Sequence, residues 1–261
     1  MPSLELVVIS LTSSNDRRAM VSARLSQLPW PWRFFDARTA ADNTLPYEPE
    51  RAAIRRGYRL ASAEIGCFVS HFECLREYAY SPASAPEFMI VLEDDVVLDD
   101  DYDFEVLAAL MSALDIHYLK LFSRFMTRVR FLGRLGQRGL YRFVVPPYGN
   151  QAYVVSKIGA RRLADSIRRI DRPIDDEMDR YWVNGLPTYA LFPYPARELN
   201  MQSTIIKGFT DVSGGSLVQK LRSAAFNWAD KIPREYANLR FTSRDLALGK
   251  KISHIQTHGN V

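Results

Sequence analysis

Short runs of Val, Ile, Leu and aromatic residues alternate along this chain with stretches whose apolar residues recur every three or four positions. The runs read as buried strands and the stretches as amphipathic helices. Leu4–Leu11 is the first predicted strand; Ser13, Ser14, Asn15 and Asp16 then turn the chain into a helix over Arg17–Leu28. Arg33–Asp36 reads as a short second strand, and the polar Ala37–Arg59 segment, with Pro46 and Pro49, as loop or short helix. From Ser62 the spacing of Ile65, Phe68, Val69, Phe72, Leu75 and Ala79 is helical up to the Pro82–Pro86 breakers. A strand over Met89–Leu92, a helix over Phe104–Leu114 and a strand over Tyr118–Phe122 follow.

Thr127–Leu132 and Leu140–Val145 flank the Gly133–Gly139 turn region and read as a hairpin. Beyond it come a strand at Ala152–Val155, a basic helix over Gly159–Ile170, a helix with an acidic start over Asp175–Val183 and a strand at Thr188–Phe192. From Lys207 onward the pattern is glycine-containing loop and helix. Strands alternating with helices predict an α/β fold with a single, mostly parallel central sheet flanked by helices. The expected organisation is one domain over residues 1–206 and a basic, largely helical extension over 207–261 packed on or beside it.

Composition narrows this little. The chain is 47% hydrophobic and 25% charged, as soluble domains are, with net charge +4 and pI near 9.0. The charge is uneven. Lys120, Arg124, Arg128, Arg130, Arg134, Arg138 and Arg142 follow one another with no acid between them. Leu217–Lys251 adds eight Lys and Arg against Asp230, Glu235 and Asp245. Such patches attract phosphates, nucleic acid or an anionic membrane face. No run reaches the roughly 20 apolar residues of a membrane span. MPSLELVVISL carries Glu5 and no positive n-region, so a signal peptide is not expected and a cytoplasmic location is.

The candidate chemistry starts at MIVLEDDVVLDDD, Met89–Asp101, where a strand runs into Glu93, Asp94 and Asp95. Carboxylates at a strand's carboxyl end lie where open α/β sheets bind ligands. Adjacent carboxylates repel, and a hard divalent cation relieves the repulsion. A solvated acidic turn leading into a helix start is the alternative reading. Cys67, His71 and Cys74 share a helix face, but zinc requires a fourth ligand from another segment, so buried thiols and a hydrogen-bonded histidine are expected. Two helical turns put the cysteines roughly 10 Å apart, too far for a disulfide. In PIDDE, Asp175 and Asp176 read either as helix caps or as a general base at a pocket rim. Gly149 in YGNQAYVVS allows close backbone approach to a ligand or marks a turn. There is no Walker A loop, no G-x-G-x-x-G and no G-x-S-x-G elbow.

Taken in order, several of these segments resemble glycosyltransferase family 25, the bacterial lipooligosaccharide and lipopolysaccharide transferases. They are VVISL followed by Asp16–Arg17–Arg18, FFDA at Phe34–Ala37, EIGCFVSH at Glu64–His71 and VLEDDV at Val91–Val96. YGNQAYVVSKIGARRL at Tyr148–Leu163, PIDD at Pro173–Asp176 and QSTI at Gln202–Ile205 complete the series, from Leu4 to Ile206. The family's Leu-Asp-Arg-Arg opening is replaced here by SSNDRR. The resemblance implies a GT-A-like fold and an inverting transfer of galactose or glucose from a UDP-sugar to a glycan or glycolipid acceptor. It makes Glu93, Asp94 and Asp95 the DxD-like motif, with Asp95 and Asp94 on Mn²⁺ or Mg²⁺, and Asp175, or Asp176, the catalytic base. Arg17, Arg18, Asp36, Glu93, Asp94, Gly149 and Gln151 are then the donor-side residues. No nucleic-acid partner is expected. Separately, Leu217, Leu221, Ala224, Ala225 and Trp228 recur at helical spacing beside Lys220 and Arg222, and with Lys250 and Lys251 they read either as a surface resting on the anionic cytoplasmic face of the inner membrane or as a stripe packed on the domain core. A metal-dependent phosphodiesterase or nuclease, and a nucleic-acid-binding module built on the Arg-rich hairpin, are the alternatives. The first requires further metal ligands, and the second leaves the acid triplet unexplained.

Overall fold

The computed structural model describes residues 2–56, 58–99, 101–199 and 217–258. Its centre is an eight-stranded sheet. In chain order the strands are β1 (Leu4–Ser10), β2 (Trp32–Asp36), β3 (Phe88–Glu93), β4 (Val96–Leu98), β5 (Tyr118–Lys120), β6 (Val129–Leu135), β7 (Arg138–Phe143), β8 (Ala152–Ser156), β9 (Tyr189–Phe192) and β10 (Ala196–Glu198). The large sheet runs β2-β1-β3-β8-β5-β9-β7-β6, and β10 pairs β4 in a separate two-stranded ribbon. Six of the eight strands point one way; β7 and β8 run against them. The α/β class and the mostly parallel sheet expected from the sequence are what the chain builds.

Helices cover both faces: α1 (Asn15–Leu25), α2 (Pro49–Arg56), α3 (Ser62–Ala79), α4 (Phe104–Ala113), α5 (Lys157–Ser166), α6 (Ile174–Met178), α7 (Tyr181–Asn184) and α8 (Leu217–His258). Because β1 is buried on both sides, its side chains divide between two cores. Leu4, Leu6 and Val8 face α1 and α4, whereas Val7 and Ile9 face α3. The chain leaves β1 for β2 on one side and reaches β3 on the other. That reversal is the topological switch point, outside which α/β sheets form their ligand crevice.

The segment read as loop or short helix is that, with a 3-10 turn at Ala40–Asp42 and the eight-residue helix α2, whereas other readings change. The single helix expected over Asp175–Val183 is broken into α6 and α7, with the buried Asp179 at the break. The β4–β10 ribbon joins three-residue strands about a hundred positions apart, too short to leave a periodic signal. QSTI at Gln202–Ile205 lies outside the described residues.

The basic run is not one surface patch. Lys120 and Arg142 are fully buried, paired with Asp179 and Asp245 at 2.8 Å each. Arg124, Arg128, Arg130 and Arg138 pair with Glu198, Glu235, Asp245 and Asp99. Acids brought in from distant segments neutralise a stretch that has none of its own. The β6–β7 hairpin expected is present, but its turn is only Gly136–Gln137, with Gly133 and Gly139 paired inside the strands; α8 lies against it, with Leu248 and Ile252 entering the same core as β1 and β3. Gly133 is needed there, since a Cβ on it would stand 2.6 Å from Ile252 Cγ2.

Asp245 accepts both contacts from Arg142 Nε, at 2.8 and 3.0 Å, while Arg142 also donates to Asn238 Oδ1 at 2.9 Å. Removing one partner strands the other charge in a dry site. Asp245→Asn is therefore expected to lower unfolding stability by about 3–5 kcal/mol in chemical denaturation; a change under about 1 kcal/mol would show that this pair does not hold α8 to the hairpin.

Candidate functional site

The carboxyl ends of the parallel strands come out level. Ile9 stands opposite Glu93 and Ser10 opposite Asp36. The antiparallel β8 enters at the same edge, where Glu93 N–H donates to the Gln151 carbonyl at 2.8 Å. Above this edge opens a cleft of about 380 Å³ lined by Ser10, Ser14, Arg17, Arg38, Thr39, Gly66, Cys67, Ser70, His71, Glu93, Asp94, Asp95, Arg124 and Glu198, among others.

Each acid of the triplet has its own environment. Asp94 is satisfied by protein: Ser10 Oγ donates to one oxygen at 2.7 Å and Arg17 to the other at 2.8 Å. Glu93 faces Nε2 of His71 at 3.4 Å and the Cys67 thiol at 4.0 Å. Asp95 differs. Its Oδ1 is buried with no hydrogen-bond partner, and burial, aided by Glu93, Glu198 and Asp94, pushes its carboxyl up to about 6.

The EIGCFVSH stretch builds the facing wall. Gly66 lets α3 pass the 38–40 segment, since a Cβ there would lie 3.0 Å from the Arg38 carbonyl. Ser70 Oγ accepts from Arg38 N–H at 2.8 Å and donates to the Gly66 carbonyl at 2.7 Å. His71 is fully buried with Nδ1 3.2 Å from the Tyr153 hydroxyl, the hydrogen-bonded histidine expected. The cysteines are free, and the stripe of three soft groups divides. Cys74 sits in the core, its thiol pushed up to about 12 by burial, while Cys67 meets Glu93.

Of the donor-side candidates, Arg17, Glu93 and Asp94 line the cleft. Arg18 and Asp36 do not; Arg18 stacks 4.6 Å over Phe34 and donates to Asp36 and to the Ser10 carbonyl, clamping the ends of β1 and β2. Gly149, Gln151 and Asp175 form an adjoining group. Asp175 is the second residue of α6 rather than its cap, and Pro173 holds the cap position. Instead the Asp175 carboxylate accepts from Gly149 N–H at 2.8 Å and from Asp176 N–H at 2.9 Å. Gly149, at φ +91°, has Gln151 Oε1 and Arg124 where a Cβ would go, and the buried Gln151 Oε1 has no hydrogen-bond partner. Beneath, Lys120 Nζ donates to the Gly149 carbonyl at 2.6 Å and pairs with Asp179, whose carboxyl burial drives up against the pull of that lysine.

Two kinds of potential metal ligand line the cleft, though among the described residues only the second brings three ligand atoms close together. Asp95, Glu93 and Glu198 are hard oxygen donors, of the kind that manganese and magnesium take. Cys67, His71 and Glu93 bring ligand atoms within 4.8 Å of one another, a softer, zinc-like set. Sequence reasoning missed Glu198 and counted Arg124 only as part of a charged run. Glu198 enters through the β10 ribbon, and nothing in its neighbours announces it.

The model of glycosyltransferase family 25, described as an LPS biosynthesis protein, matches residues 4–178. The chain belongs to glycosyltransferase family 25. Its matched span contains the β1–β3 crevice, the acid triplet and Asp175, and the class of reaction this family carries is glycosyl transfer. No curated protein matches the chain. Among solved structures, A197 from STIV has 11% identity, covering 78% of this chain and 98% of its own, at a TM-score of 0.38. A mutant Drosophila β1,4-galactosyltransferase 7 in complex with manganese, UDP-Gal and xylobiose has 8% identity, covering 84% and 79%, at 0.37. Both likenesses are remote.

Proposed function

We propose that this family 25 member, a GT-A-type enzyme, binds a UDP-sugar in the β1–β3 cleft and transfers galactose or glucose, with inversion, to a hydroxyl of a lipooligosaccharide, lipopolysaccharide or related glycan. The observation that carries the reading is the bare, desolvated oxygen of Asp95 in a cleft that also holds Glu93 and Glu198. A carboxylate without a proton donor, among other carboxylates, is completed by a cation. Mn²⁺ or Mg²⁺ held there would neutralise the donor diphosphate and the charge left on it as the glycosidic bond breaks. Asp94 has the supporting part: its two oxygens hold Ser10 and Arg17, which keeps the Arg17 guanidinium at the cleft. Arg17 and Arg124 are the cations placed for phosphate, and the small Ala37, Thr39, Ala40, Ala63 and Gly66 leave room for the nucleoside.

Inversion in one displacement requires a base on the acceptor hydroxyl. Asp175 has that role in our reading, with Asp176 the alternative. Hydrogen bonds from Gly149 and Asp176 fix the Asp175 carboxylate, and each oxygen keeps a lone pair. It takes the hydroxyl proton while the acceptor oxygen bonds to the anomeric carbon and UDP departs with the electron pair of the broken bond. In this proposal residues 1–206 are the transferase unit and 207–261 an extension packed on it.

The reading includes a site of work at the anionic cytoplasmic face of the inner membrane. No helix among the described residues is long and apolar enough to cross a membrane. The outer face of α8 nevertheless exposes Trp228, Ile232, Tyr236, Leu239 and Leu246, spaced so that they share one side, with Lys231, Arg240 and Lys250 exposed nearby. Apolar side chains flanked by lysine and arginine suit a surface that lies on anionic lipid. The side chains of Leu217, Leu221, Ala224, Ala225, Lys220 and Arg222 lie outside the described residues.

Incubating the protein with a panel of UDP-hexoses, Mn²⁺ and a truncated lipooligosaccharide should give transfer, abolished in Asp95→Asn and slowed about 10²–10⁴-fold in Asp175→Asn. Because burial and the neighbouring carboxylates raise the Asp95 carboxyl to about 6, a proton competes with the metal there, and the rise in melting temperature that Mn²⁺ with UDP gives near neutral pH should shrink as the pH falls through 6. Turnover by Asp95→Asn close to wild type would refute the metal assignment; Asp175→Asn that melts earlier yet keeps its rate would make Asp175 structural. In sedimentation with liposomes, binding to anionic vesicles should exceed binding to neutral ones and weaken as salt rises. Equal binding to both, or none, would remove the membrane from the account.

A further inference from the structure

Two consecutive apolar side chains at the lip of the cleft are turned to solvent. Phe125 is 61% exposed and Met126 41%, and Tyr148, across from them, is 46% exposed. Large apolar side chains standing together in water are unfavourable unless something covers them. The backbone holds this group in place. Arg124 N–H donates to the Tyr148 carbonyl at 2.9 Å, and Ser123 Oγ donates to the Phe125 carbonyl at 3.1 Å. The Phe125 and Tyr148 rings meet edge to face, 6.1 Å between centres and 89° between planes, which leaves a corner walled by two aromatic surfaces.

Its position says what fits. Phe125 follows Arg124, which lines the cleft, and Tyr148 precedes Gly149, whose N–H holds Asp175. The corner thus adjoins the donor cleft on the side of the carboxylate assigned as base. A sugar ring has a face of C–H groups and a rim of hydroxyls, so it covers an aromatic surface while its hydroxyls stay free to react. The group carries no formal charge of its own, which suits a neutral ring better than a phosphate.

We propose that Phe125, Met126 and Tyr148 form the platform on which the terminal neutral pyranose of the acceptor stacks, presenting its hydroxyl to Asp175. This rests on the glycosyl-transfer reading, and it adds the acceptor's recognition to it. The three side chains act by position and choice of acceptor, outside the chemistry of the donor.

The test is steady-state kinetics with varied acceptor, paired with calorimetry of UDP and Mn²⁺ binding, on wild type, Phe125→Ala, Tyr148→Ala and Tyr148→Phe. Wild-type transfer is established first, so a failure of the underlying reading is seen there and separately. The expected result is a rise of about tenfold in acceptor KM for each alanine variant, near wild-type KM for Tyr148→Phe, and unchanged UDP affinity. Should Tyr148→Ala melt early, Phe125→Ala, on the opposite wall of the corner, carries the measurement alone. Acceptor KM unchanged in Phe125→Ala would overturn the platform. A loss of UDP affinity with unchanged acceptor KM would overturn it as well, and would place the nucleobase on these rings.

Discussion

Glu93, Asp94, Asp95 and Glu198 converge on one cleft, and the electrostatic problem this creates organises everything around it. Like charges brought together in a partly dry space raise one another's proton affinity. The protein resolves the problem for Asp94 with Arg17 and Ser10. It leaves Asp95 unresolved, with a buried oxygen facing no donor and a carboxyl shifted up to about 6. Such a group is poised between two ways of losing its repulsion: a proton at low pH or a cation above it. Near neutrality the second is open, and the proposed binding of metal and diphosphate would then follow from how the strands end.

Buried ion pairs far apart in sequence fix the surroundings of this cleft and the far edge of the sheet. Lys120 and Asp179 lie beneath the Gly149 turn, and through the Gly149 carbonyl the lysine also fixes the loop whose N–H grips Asp175. Arg142 and Asp245 bind α8 to the far edge of the sheet. Buried ion pairs are weak sources of net stability but strict ones of geometry, because either partner alone is strongly unfavourable. The first pair positions the adjoining Asp175 group, and the second lets the outer face of α8 remain free for another surface.

The sequence carried much of this. The β1 and β3 runs, the EIGC and LEDDV segments and the hairpin signal lie where the fold puts them, since buried strands and breakers leave strong local patterns. What could not be read was set by partners distant in the chain. The basic stretch from Lys120 to Arg142 looks like a surface because its acids arrive from elsewhere; two of its members are fully buried. Glu198 joins the site on a three-residue strand with no periodicity to find. Asp175 and Asp176 resemble caps, but the cap position is Pro173, and the contact that matters is tertiary. Arg18 and Asp36 satisfy each other at the strand ends, which only their spatial register reveals.

The claim on which the account turns is that a cation completes Asp95. Anomalous diffraction from crystals soaked in Mn²⁺ and UDP measures this most directly. The account predicts a manganese peak at the Asp95 carboxylate, within about 2.0–2.6 Å of an oxygen, the range of hard-cation ligands. A peak lodged instead among Cys67, His71 and Glu93, or no peak in a cleft that holds UDP, would contradict it.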